Sequence, residues 1–354
     1  MEIEKKPFLD YIHNFRGLAI IFIVGIHSII SIPWQGFSVT KSLLVGIFNN
    51  GTVLFVFIAG FLFYYLCHNQ FNYFKYLKKK LKFVIFPYLI ISVPAIVDKL
   101  FIDTGDHWWM TPEFQEASIM YKIFWMLITG RHSGVLWFIP MIGIFYLGSY
   151  FFRNFSNKRL FDYIVPLICI VGLWTVRFGY HANPIISFVH FLPIYLLGMW
   201  VAKHRLKILS VNNLWLILLS TGYIVMTALE VYDIIPVNKY LELRDKKAMV
   251  FIFNLSKLKA ILLCILLIIG FKRLNDYRFP LLVKTGNDSF GIFFLHLYII
   301  NIFQILVQKG IIPITSLNVF SYSVYLVAIL ALAMIIIFFV KKVFGKNSRI
   351  IIGS

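Results

Sequence analysis

The sequence predicts an all-α protein, a polytopic transmembrane helix bundle of about ten membrane spans with both termini cytoplasmic. Three observations carry that reading. Hydrophobic residues make up 60% of the 354 and charged residues only 14%, with a mean hydropathy of +0.82. A soluble chain carries about 45–50% apolar and about 25% charged residues, and has no interior large enough for the surplus seen here. The apolar residues also gather into runs that can cross hydrocarbon, which takes about 20 residues at 1.5 Å each. Finally, the basic residues collect between alternate runs.

In chain order the runs lie near 17–33, 43–66, 83–101, 135–152, 160–178, 185–202, 211–229, 254–271, 287–308 and 319–340. The eighth is the weakest, because Lys257 and Lys259 interrupt it; these lysines are expected to snorkel to one surface or to face the bundle interior. With the N-terminus inside, 22 of the 34 basic and 6 of the 15 acidic residues fall on the cytoplasmic side, a balance of +16 against +3. The reverse orientation would put nearly all the positive charge outside, against the positive-inside rule. The chain then divides into a cytoplasmic segment 1–16, a transmembrane domain 17–340 and a basic cytoplasmic tail 341–354, in the cell (cytoplasmic or inner) membrane and in contact with its lipids. Two outer connections are long, 102–134 and 230–253. The first contains an amphipathic stretch, 119–128, too short to span and suited to the interface.

Several classes drop out. The formal charge of +19 invites a nucleic-acid reading, but the basic residues form short clusters between apolar runs and no domain-sized patch. Cys67, Cys169 and Cys264 are far apart, without a CxxC, so neither a disulfide framework nor a zinc site is expected. Glu2, Glu4 and Asp10 among Lys5, Lys6 and Arg16 do not read as a cleavable signal peptide. With no GxxxxGK[ST], GxSxG or HExxH, an ATPase, a serine hydrolase and a metal site are not expected, nor is a permanently bound cofactor.

The informative residues are polar groups in apolar surroundings. Arg16 and His27 are eleven residues apart, which on a helix is about 20° beyond three turns and a rise of roughly 16 Å. Both project from one face, Arg16 at the cytoplasmic mouth and His27 deep in the membrane. A neutral imidazole there suits a general base. Alternatively, Arg16 is an anchor of the positive-inside kind and His27 binds a neighbouring carbonyl. His296 is a second deep histidine, followed by Asn301, Gln304 and Gln308 at helical spacing; such a stripe faces a cavity or bonds to another helix. Lys75, Lys78, Lys79, Lys80 and Lys82 set topology and would equally draw a polyanionic cofactor.

The residues that carry a family resemblance are Phe15-Arg16-Gly17 with His27, the segment 55–61 with Gly60, the basic run ending at Lys82 before Pro87-Tyr88, Leu136-Trp137-Phe138, and Phe293-Phe294-Leu295-His296. In that order and spacing the chain resembles acyltransferase family 3, integral membrane enzymes that move acyl groups, usually acetyl, onto cell-surface carbohydrates; the transmembrane domain 17–340 is the part that resembles it. Two departures stand out. Ala59 replaces the usual Ser, and lysines stand where many members have arginines; lysine keeps the charge but lacks the planar two-pronged phosphate clamp.

The resemblance implies acetyl-CoA or another acyl-CoA as donor, with Arg16, Lys78, Lys79, Lys82 and Trp137 holding it. It also implies a polysaccharide or lipid-linked glycan hydroxyl as acceptor, and a place beside glycan biosynthesis or export proteins. His27 would be the base, assisted by Arg16 and His296, with His296, Trp137 or a backbone group facing the oxyanion. A polysaccharide or lipid-linked sugar transporter is the competing class, since ten spans with deep polar groups would serve it equally.

Overall fold

The apolar runs form helices because neither water nor a neighbouring chain can satisfy their backbone groups in hydrocarbon. The computed structural model describes residues 9–36, 39–67, 71–103, 105, 107, 109–176, 183–232, 253–275, 277, 279–314 and 316–354. Segment 1–8, Asp106, Trp108 and most of the outer connection 230–253, with its mixed charges from Asp233 to Lys247, lie outside the described residues. The helices are α1 (Asp10–Ser31), α2 (Val39–Phe48), α3 (Gly51–Cys67), α4 (Tyr73–Lys80), α5 (Phe86–Val97), α6 (Ile119–Thr129), α7 (Phe138–Leu147) and α8 (Ser149–Ser156). They continue as α9 (Leu160–Gly172), α10 (Pro184–Lys203), α11 (Asn213–Val231), α12 (Leu255–Arg273), α13 (Pro280–Asn287), α14 (Ser289–Gln308), α15 (Val319–Phe344) and α16 (Ser348–Ile351). Among the described residues there is no strand, only an isolated bridge between Trp34 and Leu317.

Seven helices among the described residues are long and apolar enough to cross a membrane: Asp10–Ser31, Val39–Cys67, Tyr73–Ile102, Pro184–Lys203, Asn213–Val231, Ser289–Gln308 and Val319–Ile351. Three expected runs are not among them, for separate reasons. The run 135–152 divides at Gly148 into α7 and α8, the helix of 160–178 ends at Gly172, and α12 carries Lys257, Lys259, Lys272 and Arg273. The stretch at 119–128 is α6, too short to span, with Met120 and Phe124 exposed. The first helix begins at Asp10, earlier than the run at 17, so Arg16 lies inside it.

α1 is the central post and packs against α2, α3, α12, α13, α14 and α15. Beside it, α3 and α10 cross backbone to backbone. A Cβ on Gly60 would lie 2.0 Å from the Tyr195 carbonyl oxygen, and one on Gly198 would lie 2.1 Å from that of Phe57. Small residues permit such close approach where packing, not the hydrophobic effect, joins helices in lipid.

Both lysines of α12 face the interior, which decides between the two expected fates. Lys257 Nζ donates to the Gly172 carbonyl at 2.9 Å and to Thr175 Oγ1 at 2.7 Å, closing the open end of α9. Lys259 Nζ donates to the Gly46 carbonyl at 2.8 Å and pairs with Glu230, whose other oxygen accepts from Ser256 Oγ at 2.6 Å. The polar stripe of α14 divides as well. Gln304 donates to the Ser31 carbonyl at the end of α1 (2.6 Å), while Asn301 and Gln308 are exposed.

Gly60→Val is expected to destabilise the fold by about 3 kcal/mol, the upper part of the range for overpacking, because backbone must move. Gly270→Ala, where a Cβ meets nothing within 4 Å, should leave stability unchanged or raise it. Thermal unfolding of the two purified variants in detergent checks the contrast.

Candidate active site

Gly17, next to Arg16, shapes the site first. A Cβ there would lie 2.2 Å from the Leu282 carbonyl oxygen, so α13 runs directly against α1. The junction between α13 and α14 is thereby brought beside Arg16, whose Nη2 donates to Ser289 Oγ at 2.8 Å. Seven residues on from Ser289, about 20° short of two turns, the same face of α14 presents His296. The ring centroids of His27 and His296 are 5.4 Å apart, with the planes inclined at 45°. Two helices thus stand side by side with a guanidinium–hydroxyl contact near one end and an imidazole pair deeper in.

The histidines differ in surroundings. His296 is fully buried, with Nδ1 2.9 Å from the Phe293 carbonyl and 3.1 Å from that of Ile292. Carbonyl oxygens only accept, so Nδ1 carries the hydrogen and Nε2 presents a lone pair. That Nε2 has no hydrogen-bond partner among the described residues. A buried acceptor left so costs about 1–3 kcal/mol, and this one belongs to a ring beside that of His27. His27 is half-buried, the accessible member of the pair.

Trp137 arrives from a tight turn. Gly130 ends α6 at φ +69, and a Cβ there would strike the Trp137 backbone nitrogen at 2.4 Å. Trp137 stacks on Phe191 of α10 (centroids 6.0 Å, 20°). Its neighbour Phe138 lies 5.5 Å from Phe293, which in turn lies 6.2 Å from the His296 ring. The indole therefore sits on the aromatic wall that ends at the imidazole pair.

The basic run separates by face. Lys78, Lys79 and Lys82 are exposed, whereas Lys80 turns inward, its Nζ 4.7 Å from the Tyr146 ring centroid and 5.2 Å from that of Tyr76. Tyr76 is four residues earlier on the same helical face. A π-helical turn, Leu81–Ile85, follows at once, with the Phe86 N–H reaching back to the Leu81 carbonyl, so α-helical spacing does not carry through to Pro87. Lys80 lies within electrostatic reach of Arg16 and of Arg349, and those two of each other. Among the described residues none of these three cations forms a salt bridge.

The structure accordingly joins Arg16 to Ser289 and His27 to His296, and places Trp137 on the adjoining wall. It draws Lys80, not Lys78, Lys79 or Lys82, toward Arg16. Tyr76 and Leu77 on an otherwise lysine-rich helix were the available signal for the face that holds Lys80. Nothing local in the sequence connects Arg349 or Ser289 to Arg16.

This is a multi-pass membrane protein with an imidazole pair and a group of cations that form no salt bridge among the described residues. A family model described as an acyltransferase domain matches residues 9–338, and the chain belongs to acyltransferase family 3. No curated protein and no solved structure matches it.

The locked ring of His296 is directly observable. Solid-state NMR of histidine-labelled protein at neutral pH should show an imidazole with hydrogen on Nδ1 and an acceptor-type Nε2 that is lost in His296→Gln, separate from the like signal of His132, whose Nδ1 meets the Met126 carbonyl at 2.9 Å. An Nε2–H form for that residue would contradict the assignment.

Proposed function

We propose that this acyltransferase moves an acyl group, acetyl in the first instance, from cytoplasmic acyl-CoA to a hydroxyl of a cell-surface or exported polysaccharide. The observation that supports it best is the single face of α1. It carries Arg16 beside unpaired cations and, roughly 16 Å further along the axis, His27 beside His296. Coenzyme A has the matching form, with phosphates at one end of an extended arm and the thioester at the other. Arg16 and Lys80 would hold the phosphates while the acyl carbon lies against His27.

His27 takes the hydroxyl proton as the acceptor oxygen attacks the thioester carbonyl. The C–O bond forms, the C–S bond breaks as the oxyanion collapses, and the proton passes from His27 to the departing sulfur. His296 in its Nδ1–H form has no N–H left for an oxyanion, so its lone pair instead supports the imidazolium formed on His27. The oxyanion then falls to the Trp137 indole N–H or to a backbone N–H.

The same reading sets the orientation. The end bearing the basic run faces the cytoplasm of an inner-membrane protein with ten spans, the seven long helices being joined by α7–α8, α9 and α12. The acceptor approaches from the opposite end.

His27→Ala should lower the turnover number for glycan acylation by about 10²–10⁴-fold, the range for losing a general base, with little change in donor KM. Arg16→Ala and Lys80→Ala should each raise donor KM about tenfold, the scale of one charge-assisted contact, while Lys78→Ala stays within about twofold. Mass analysis of surface glycans from a deletion strain carrying each variant, with transfer assays on purified protein, reads both. Near-normal transfer by His27→Ala, or glycan movement in vesicles without any acyl donor, would remove the proposal. Reporter fusions at the loops after α8 and α11 should report opposite sides of the membrane.

A further inference from the structure

Segment 345–354 is fastened to the bundle. After α15 the chain turns at Gly345 (φ +51), and α16 packs against α5 and the Leu81–Ile85 turn. Ser354 Oγ accepts from the Gly291 N–H at 2.8 Å and donates to the Asp288 carbonyl at 3.2 Å, while Ser348 Oγ donates to the Ser354 carbonyl at 2.8 Å. Ile352 is buried, and Gly353 takes φ +78 with Phe290 and Phe294 against it. Lys341 at the end of α15 pairs with Asp288. The contacts of Ser354, Gly353 and Lys341 converge on the start of α14, the same place that holds Ser289 against Arg16.

Docking in this way presents Arg349. Its guanidinium lies 4.5 Å from the Phe83 ring centroid, exposed and within electrostatic reach of Arg16 and Lys80. Three like charges in reach of one another repel, and no carboxylate among the described residues pairs with them. An anion with several charges relieves that repulsion. Lysine meets such an anion as a point charge, whereas arginine offers a planar fork that fits two phosphate oxygens at once. The run 75–82 contains lysine only, so the forks come from Arg16 and from the docked segment.

Resting on the acyl-CoA reading above, we propose that Arg349 is a donor-binding residue, a phosphate anchor for the nucleotide end of the donor, carried to the mouth by segment 345–354. The test is calorimetric binding of unacylated coenzyme A to the purified full chain in detergent. Arg349→Ala and Arg349→Gln should weaken binding about tenfold and flatten its dependence on salt, and Arg349→Lys should recover part of the loss. Lys346→Ala, exposed on the same segment, should stay within about twofold of the parent. Gly353→Val, which the positive φ disfavours, should release the segment and match the loss of Arg349→Ala.

Unchanged affinity in folded Arg349→Ala, judged by its thermal unfolding, would overturn the assignment of Arg349 and leave the donor reading standing. A parent protein that binds no coenzyme A would overturn both. A lipid headgroup offers the same phosphate chemistry. If Arg349→Ala lowers binding to phosphatidylglycerol vesicles while coenzyme A binds as before, the anchor serves lipid and the proposal fails.

Discussion

A helix that carries a guanidinium and an imidazole on one face can stay in hydrocarbon only if protein covers that face. α1 meets the condition by standing at the centre, with α2, α3, α12, α13, α14 and α15 around it. The tight glycine contacts follow from the same demand. Gly17 admits the backbone of α13, and Gly60 with Gly198 lets α3 and α10 close together on the other side. A side chain at either place would hold a neighbouring helix away and open the polar face to lipid. Position in the fold and chemistry of the site are therefore one constraint.

Several polar groups elsewhere in the bundle hold it together. Lys257 closes the end of α9, Lys259 links α12 to Glu230 and to the Gly46 carbonyl, and Gln304 meets the last turn of α1. Each satisfies a backbone group that would otherwise face hydrocarbon. The site is built differently. The lone pair of His296 has no hydrogen-bond partner, and the charges of Arg16, Lys80 and Arg349 no carboxylate in a salt bridge, among the described residues. A group of cations without a carboxylate is where an anion has the most to gain.

Much of this was legible in the chain. The Arg16–His27 spacing needs only a regular helix, and α1 is one, so the shared face followed directly. His296 was visible as a deep polar group, but its pairing with His27 depends on how α14 meets α1, which no local pattern encodes. Lys80 was not distinguished by charge, since four neighbouring lysines give the same count whichever one turns inward, and only the face marked by Tyr76 and Leu77 pointed to it. Burial of Lys257 and Lys259 was open because a long side chain can reach either a surface or a carbonyl, and only the position of Gly172, Thr175 and Gly46 decides it. The shorter helices were misjudged in length for a different reason. Apolar runs continue through Gly148 and past Gly172, while the helices do not.

The partner that faces His27 also explains why the pair can sit so deep. A carboxylate there would be a permanent buried charge, expensive to desolvate and stable only beside a permanent cation. A second imidazole, fixed by the carbonyls of Ile292 and Phe293, is neutral at rest and still offers a lone pair. Under the proposed transfer, charge would appear at the pair only while His27 holds the acceptor's proton and would disappear when the sulfur leaves with it. Permanent charge stays with Arg16 and Lys80, where on the same reading a donor phosphate would neutralise it, and the depth of the bundle would carry charge only during the transfer.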